Sequence, residues 1–157
     1  MIYEYKPITL IFDEIIERAM DTVLNDPRHL YKKIKVLRLA ERCCNTAMAD
    51  RACIVSAVRN YDVVVVEYPE FKKTELYQYE MMVSIIDLIR KNKNKTVIMV
   101  TQSEAILQTV LKLIEEEVIS SDDVSVYYKD EKIEVFTDGS CEMDKIRWIF
   151  EFLSLVF

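Results

Sequence analysis

The chain has 157 residues, 51% hydrophobic and 31% charged, a globular balance with enough apolar surface for a core, which excludes a disordered chain. A net charge of −6 excludes a protein whose whole surface grips nucleic acid, while leaving room for a local basic patch. The single glycine, Gly139, excludes a glycine-rich loop of the kind that brings backbone N–H groups up to a phosphate.

No apolar run approaches the roughly 18 residues that cross a bilayer, and no leader precedes Pro7, so the expectation is an intracellular, cytoplasmic protein with no membrane partner. Cys43, Cys44, Cys53 and Cys141 lack Cys-x-x-Cys spacing and the only histidine, His29, lies far from them in sequence, so a zinc site is not expected.

In chain order, Ile8, Ile11, Phe12, Ile15, Ala19 and Val23 recur at helical spacing and predict a first amphipathic helix ending before Pro27. From Pro27 a second helix is predicted, with Leu30, Ile34, Leu37 and Cys44 on one side. Arg28, Lys32, Lys35, Arg38 and Arg42 share another side, a basic stripe that would follow a DNA backbone or meet an acidic partner. A solvated helix face is the ordinary alternative. A short helix over 51–60 completes a helical N-terminal region, residues 1–60.

Val63 to Val66 is an uninterrupted β-branched run ending in Glu67-Tyr68-Pro69-Glu70, which reads as a strand buried on both faces in a parallel sheet. Ligands gather at the carboxyl ends of such strands, so Glu67 and Glu70 are the first candidate site residues. A helix over 74–90 follows, with Met82, Ile85, Ile86 and Ile89 as its core face, and then a second buried strand, Thr96 to Val100. Strand, helix and strand imply a parallel crossover. Thr101 with Glu104 fits a capping box that opens the next helix. Val124 to Tyr128 and Ile133 to Phe136 flank the charged tip Lys129 to Lys132, a hairpin. The segment from Glu142 onward is apolar nearly all round, a helix to be clamped in the core or presented to a partner. The fold class expected is α/β, with α+β the alternative: a short parallel sheet with long flanking helices and a C-terminal hairpin, in one domain with a helical N-terminal region over 1–60, a core over 61–141 and an apolar C-terminal helix over 142–157.

The order strand, Glu67-Tyr68-Pro69-Glu70, Gln78, strand, Thr101-Gln102-Ser103-Glu104, then Leu113-Ile114-Glu115-Glu116 and Ser121 to Tyr128 resembles the C-terminal half of the RecF/SMC-like, ABC-type AAA ATPases of DNA repair and phage defence. The resemblance covers about residues 56–142. It implies that Glu67 holds the Walker B position beside magnesium and that Gln102 holds the switch position that senses the γ-phosphate. Tyr68 stands where that group often has a catalytic carboxylate, Gln102 replaces a histidine, and both the Walker A lysine and a signature-loop glycine are missing. Hydrolysis needs cradled phosphates, magnesium and an oriented water, so no autonomous ATPase activity is expected.

Two functions follow. The first is a non-hydrolytic interaction module, self-associating or docking on an ATPase partner through the C-terminal helix and contacting DNA through the basic stripe. The second is an enzyme, a nuclease or phosphotransferase in which Glu67 and Glu70, joined by Glu80 or Asp87, hold Mg²⁺ or Mn²⁺ through oxygen ligands.

Overall fold

The structure, a computed structural model, describes residues 3–38, 47–70, 73–92, 94–142, 144, 145 and 151, with the backbone alone for 47–49. It is a mixed α/β fold built on one six-stranded sheet. In chain order the elements are β1 (Ile8–Phe12), α1 (Ile16–Leu24), β2 (Ile34–Arg38), α2 (Ala47–Asn60), β3 (Val63–Glu67), α3 (Glu75–Lys91), β4 (Thr96–Thr101), α4 (Glu104–Glu115), β5 (Val124–Tyr128) and β6 (Glu131–Ile133). Strand order is β2-β3-β4-β1-β5-β6, with every pairing parallel except the β5–β6 hairpin.

Alternate residues of each strand feed opposite layers. Leu10, Val64, Val66, Val97, Met99 and Val126 pack under α2, α3 and α4, while Ile11, Val63, Val65, Ile98 and Val100 pack under α1. The split follows from right-handed crossovers: the connection from β1 to the far edge at β2 runs in one direction along the sheet, and the later connections run back in the other.

The strands at Val63–Glu67 and Thr96–Thr101 and the helix after Thr74 stand where the sequence places them, whereas the second strand of the hairpin is Glu131–Ile133 and not Ile133 to Phe136, so Glu131 and Lys132 pair with β5 instead of forming the tip. The N-terminal region differs. Ile8–Phe12 is a strand, fully buried at the centre of the sheet, and the helix starts only at Ile16. This strand, covered on both faces, is apolar at every position but Thr9, so it satisfies a helical spacing as readily as any other; Asp13 and Glu14 mark its end. Residues 27–38 form a 3-10 turn, Pro27–His29, followed by edge strand β2, so there is no helix from Pro27 and no helical stripe. The exposed Lys35 and Arg38 on β2 are the charges with which edge strands discourage further pairing. Residues 1–60 are therefore not a helical unit but supply the central strand and one edge of the sheet.

The cap of α4 is Ser103, whose hydroxyl accepts from Ile106 N–H at 3.3 Å, and not Thr101. The hairpin closes through two residues, Lys129 and Asp130, with Lys129 in the left-handed region at φ 53°. Arg42 and most of the expected C-terminal helix, 142–157, lie outside the described residues. No helix among the described residues is long and apolar enough to cross a membrane.

Candidate functional site

The carboxyl ends of β1 to β5 form one edge of the sheet, and the connection after β1 leaves toward one layer while those after β3 and β4 leave toward the other. The crevice between β1 and β4 is thus a topological switch point, the place where open α/β sheets bind ligands. Here it is closed by the chain's own groups. The Gln102 amide, just past β4, donates to the backbone carbonyls of Asp13 (3.1 Å) and Glu14 (3.2 Å), just past β1.

The two candidate carboxylates part company. Glu67, on the last residue of β3, accepts from Arg38 Nε of the neighbouring strand at 2.6 Å. Tyr68 then adopts a left-handed conformation, φ 49°, which is strained for a bulky side chain, while its N–H continues the ladder to Val100 O at 2.8 Å. That bend, followed by Pro69, turns Glu70 back beneath β4. Its carboxylate accepts from the Thr101 hydroxyl at 2.7 and 2.8 Å and from Gln102 N–H at 2.7 Å. Glu80 and Asp87 lie on the exposed face of α3, Asp87 paired with Lys91 at 3.1 Å, and neither joins Glu67 or Glu70. Among the described residues no three His, Cys, Asp or Glu side chains are grouped as metal ligands.

Asp13, Glu14, Lys73 and Asp50, not singled out in the sequence, complete the edge together with Gln78 and Ser103. Asp13, 1% exposed, accepts from Ile15 N–H at 2.9 Å and takes Arg18 bidentately at 2.7 and 3.1 Å. Glu14 takes Lys129 at 2.6 Å and the Tyr128 hydroxyl at 3.1 Å. Burial opposes ionisation of Glu14, but Lys129, a backbone N–H and Tyr128 together outweigh it and hold its carboxyl below the usual range. On the other side of Glu70, Ser103 donates to the Gln78 side-chain oxygen, Gln78 donates to Lys73 O at 3.3 Å, and Lys73 pairs with Asp50 at 3.3 Å. Asp13 and Glu14 could have been found by the rule that found Glu67, as the first carboxylates after a buried apolar run. Lys73 and Asp50, 23 positions apart, carry no such signal.

Electrostatically this edge is already supplied with anions. Helix N-termini carry partial positive charge and unsatisfied N–H groups, and they attract phosphate or carboxylate. Asp13 serves the start of α1, Glu70 the turn into α4, and Asp50 lies in the first turn of α2. The residues do not fit a nucleotide with magnesium: the β1–α1 connection is acidic and glycine-free, and Arg38 already holds one oxygen of the Glu67 carboxylate.

Burial raises the Glu70 carboxyl above the ordinary glutamate range, with the Gln102 N–H and the Thr101 hydroxyl acting in the opposite direction. A raised folded value means that the contribution to stability is complete below the unfolded pKa and is lost as pH rises through the folded one. Glu70→Gln removes that dependence. Its melting temperature relative to wild type is therefore expected to improve between pH 4 and pH 7, and a difference that stays flat or falls over that interval would refute the assignment.

Comparison with protein families, with curated proteins and with solved structures finds no match to this chain.

Proposed function

We propose that the protein is a non-hydrolytic interaction module built on a degenerate ABC-type ATPase frame, associating with itself or with an ATPase partner. The observation that carries this reading is the switch-point crevice, bridged by Gln102 and flanked by Asp13 and Glu14. A strand, a loop and a helix stand where a phosphate-binding loop would lie, but the loop brings carboxylates where phosphate binding needs glycines and a cation. A nucleotide would have to displace four ionic and amide contacts and then meet like charge.

The basic stripe gives this reading no support. Arg28 is held bidentately by Asp26 at 2.5 and 3.0 Å, Arg38 is held by Glu67, and no helix joins them over the described residues 27–38. The partner surface expected from the sequence is the apolar C-terminal stretch, Trp148 to Phe157.

Calorimetric titration with ATP and Mg²⁺ is expected to give no binding below millimolar concentration. Light scattering is expected to give a multiple of 18.5 kDa that drops to the monomer when the chain is truncated after Arg147. Tight nucleotide binding, or a full-length chain that is monomeric with no ATPase partner retained, overturns the proposal. The enzymatic alternative has its own arm: Mg²⁺-dependent cleavage of linear DNA that disappears in Glu67→Ala would replace this reading with a nuclease.

A further inference from the structure

The opposite edge of the sheet, where β2, β3 and β4 begin and α2 and α3 end, has the reverse electrostatic character. Tyr61, half-buried, leads into β3. Lys33 Nζ lies 5.1 Å and Lys35 Nζ 5.9 Å from the centre of its ring, and Lys95 Nζ donates to its backbone carbonyl at 3.1 Å. Asp62, the neighbouring carboxylate, accepts from the backbone N–H of Lys33 at 3.0 Å.

Most described lysines and arginines lie within ion-pair distance of a carboxylate. Apart from Arg51, the described cations that do not are Lys32, Lys33, Lys35, Arg59, Arg90 and Lys95, and these share the amino edge and its β2 flank. The last turns of α2 and α3 account for cations at Arg59 and Arg90, because helix C-termini favour positive charge. They do not account for the lysines before and on β2, which belong to no helix. In a chain of net charge −6, unneutralised lysines gathered on one edge make the place where an anionic polymer is attracted while the rest of the surface repels it.

An exposed aromatic residue lies close to Lys33 and Lys35 in sequence, in the segment that leads into β2. Tyr31, two residues before Lys33, is 96% exposed, and Leu30 next to it is 72% exposed. A solvent-exposed tyrosine on the same segment as lysines outside ion pairs matches the needs of single-stranded nucleic acid, which takes cations along its phosphates and aromatic faces for its unstacked bases.

We propose that this edge binds single-stranded nucleic acid, with phosphates on Lys33, Lys35 and Lys95 and an unpaired base stacked on Tyr31. The assignment is independent of the ATPase-derived reading, since it uses no residue of the carboxyl edge and survives whether or not the chain self-associates. An acidic polypeptide could use the lysines but gains nothing specific from the tyrosine, and a duplex offers no unpaired base.

The test is fluorescence anisotropy of the full chain with a labelled oligothymidylate of about twelve nucleotides, over a salt series. Binding is expected, with a salt slope that becomes shallower by about 0.7 for each lysine removed in Lys33→Gln and Lys35→Gln. Tyr31→Ala is expected to weaken binding roughly tenfold with the slope unchanged, and Tyr31→Trp to retain it. Because these side chains are on the surface, circular dichroism of each variant should match wild type. The proposal is overturned by no binding at about 50 mM salt, by variants that bind as wild type does, by tighter binding of the matching duplex, or by polyglutamate competing as well as the oligonucleotide.

Discussion

Replacing Asp50 by alanine is expected to lower folding stability by about 3–5 kcal/mol, the usual cost of removing one partner from a buried ion pair. The Asp50 side chain is 0% exposed and that of Lys73 5%, with Nζ and Oδ2 3.3 Å apart. Tyr77 donates its hydroxyl to the same Asp50 oxygen at 2.6 Å, and its ring lies 5.4 Å from the ammonium. Alanine leaves the Lys73 ammonium buried without this counter-charge and leaves the Tyr77 hydroxyl without this acceptor. Against a total of about 5–15 kcal/mol for a domain of this kind, that is a large fraction. The companion variant decides whether charge is the cause. Asp50→Leu with Lys73→Met replaces both members by apolar groups, and is expected to recover most of the loss, because a buried pair is often dispensable as a pair. Urea unfolding of the three proteins reads this directly. A single variant that costs under about 1 kcal/mol would mean that Lys73 reaches water and that the pair behaves as a surface one.

The same cluster shows where sequence reading stops. Val63 to Val66 and Thr96 to Val100 are legible because a strand covered on both faces must be apolar throughout, and β-branched runs of that length with polar ends have few other uses. Ile8 to Phe12 obeys the same rule, yet Ile15, Ala19 and Val23 extend its spacing into a helical one, and the break at Asp13-Glu14 is only two residues long. Strand β2 is harder still, since Ile-Lys-Val-Leu-Arg on a sheet edge needs only partial burial and its charges also fit a helix face. At the carboxyl edge, the strand ends themselves point to Glu67, Glu70 and Gln102. What they do depends on one backbone angle at Tyr68 and on the choice between two neighbouring hydroxyls, Thr101 and Ser103, for the cap of α4. The Asp50–Lys73 pair depends on how α2 and α3 dock, which no local pattern records.

The sole glycine supplies the second large effect. Gly139 lies in the turn after Phe136, at φ +83°, in the left-handed region that costs an L side chain about 1–2 kcal/mol. Its surroundings add more. A Cβ there would stand 2.6 Å from Leu111 O, 2.8 Å from Glu115 Cβ and 2.9 Å from Glu115 N, and two of these three atoms are backbone of α4. The helix cannot yield locally without breaking its own hydrogen bonds, so the turn must lift away. That disturbs the Phe136 N–H to Ser140 O bond at 2.8 Å and the bridge between Val135 and Cys141, whose side chain is in the core. Overpacking of this kind costs about 1–3 kcal/mol, so Gly139→Ala is expected to lose about 2–5 kcal/mol in all. Ser140→Ala in the same turn removes only the exposed hydroxyl hydrogen bond to Asp138 and keeps the backbone one, and should stay within about 0.5 kcal/mol of wild type. Thermal unfolding of the two variants separates a close-approach requirement from general sensitivity of the turn. If Gly139→Ala melts with Ser140→Ala, the contact with α4 is not what demands glycine. If it falls well below, the only glycine of the chain is fixed by packing against α4, with no phosphate-binding loop involved.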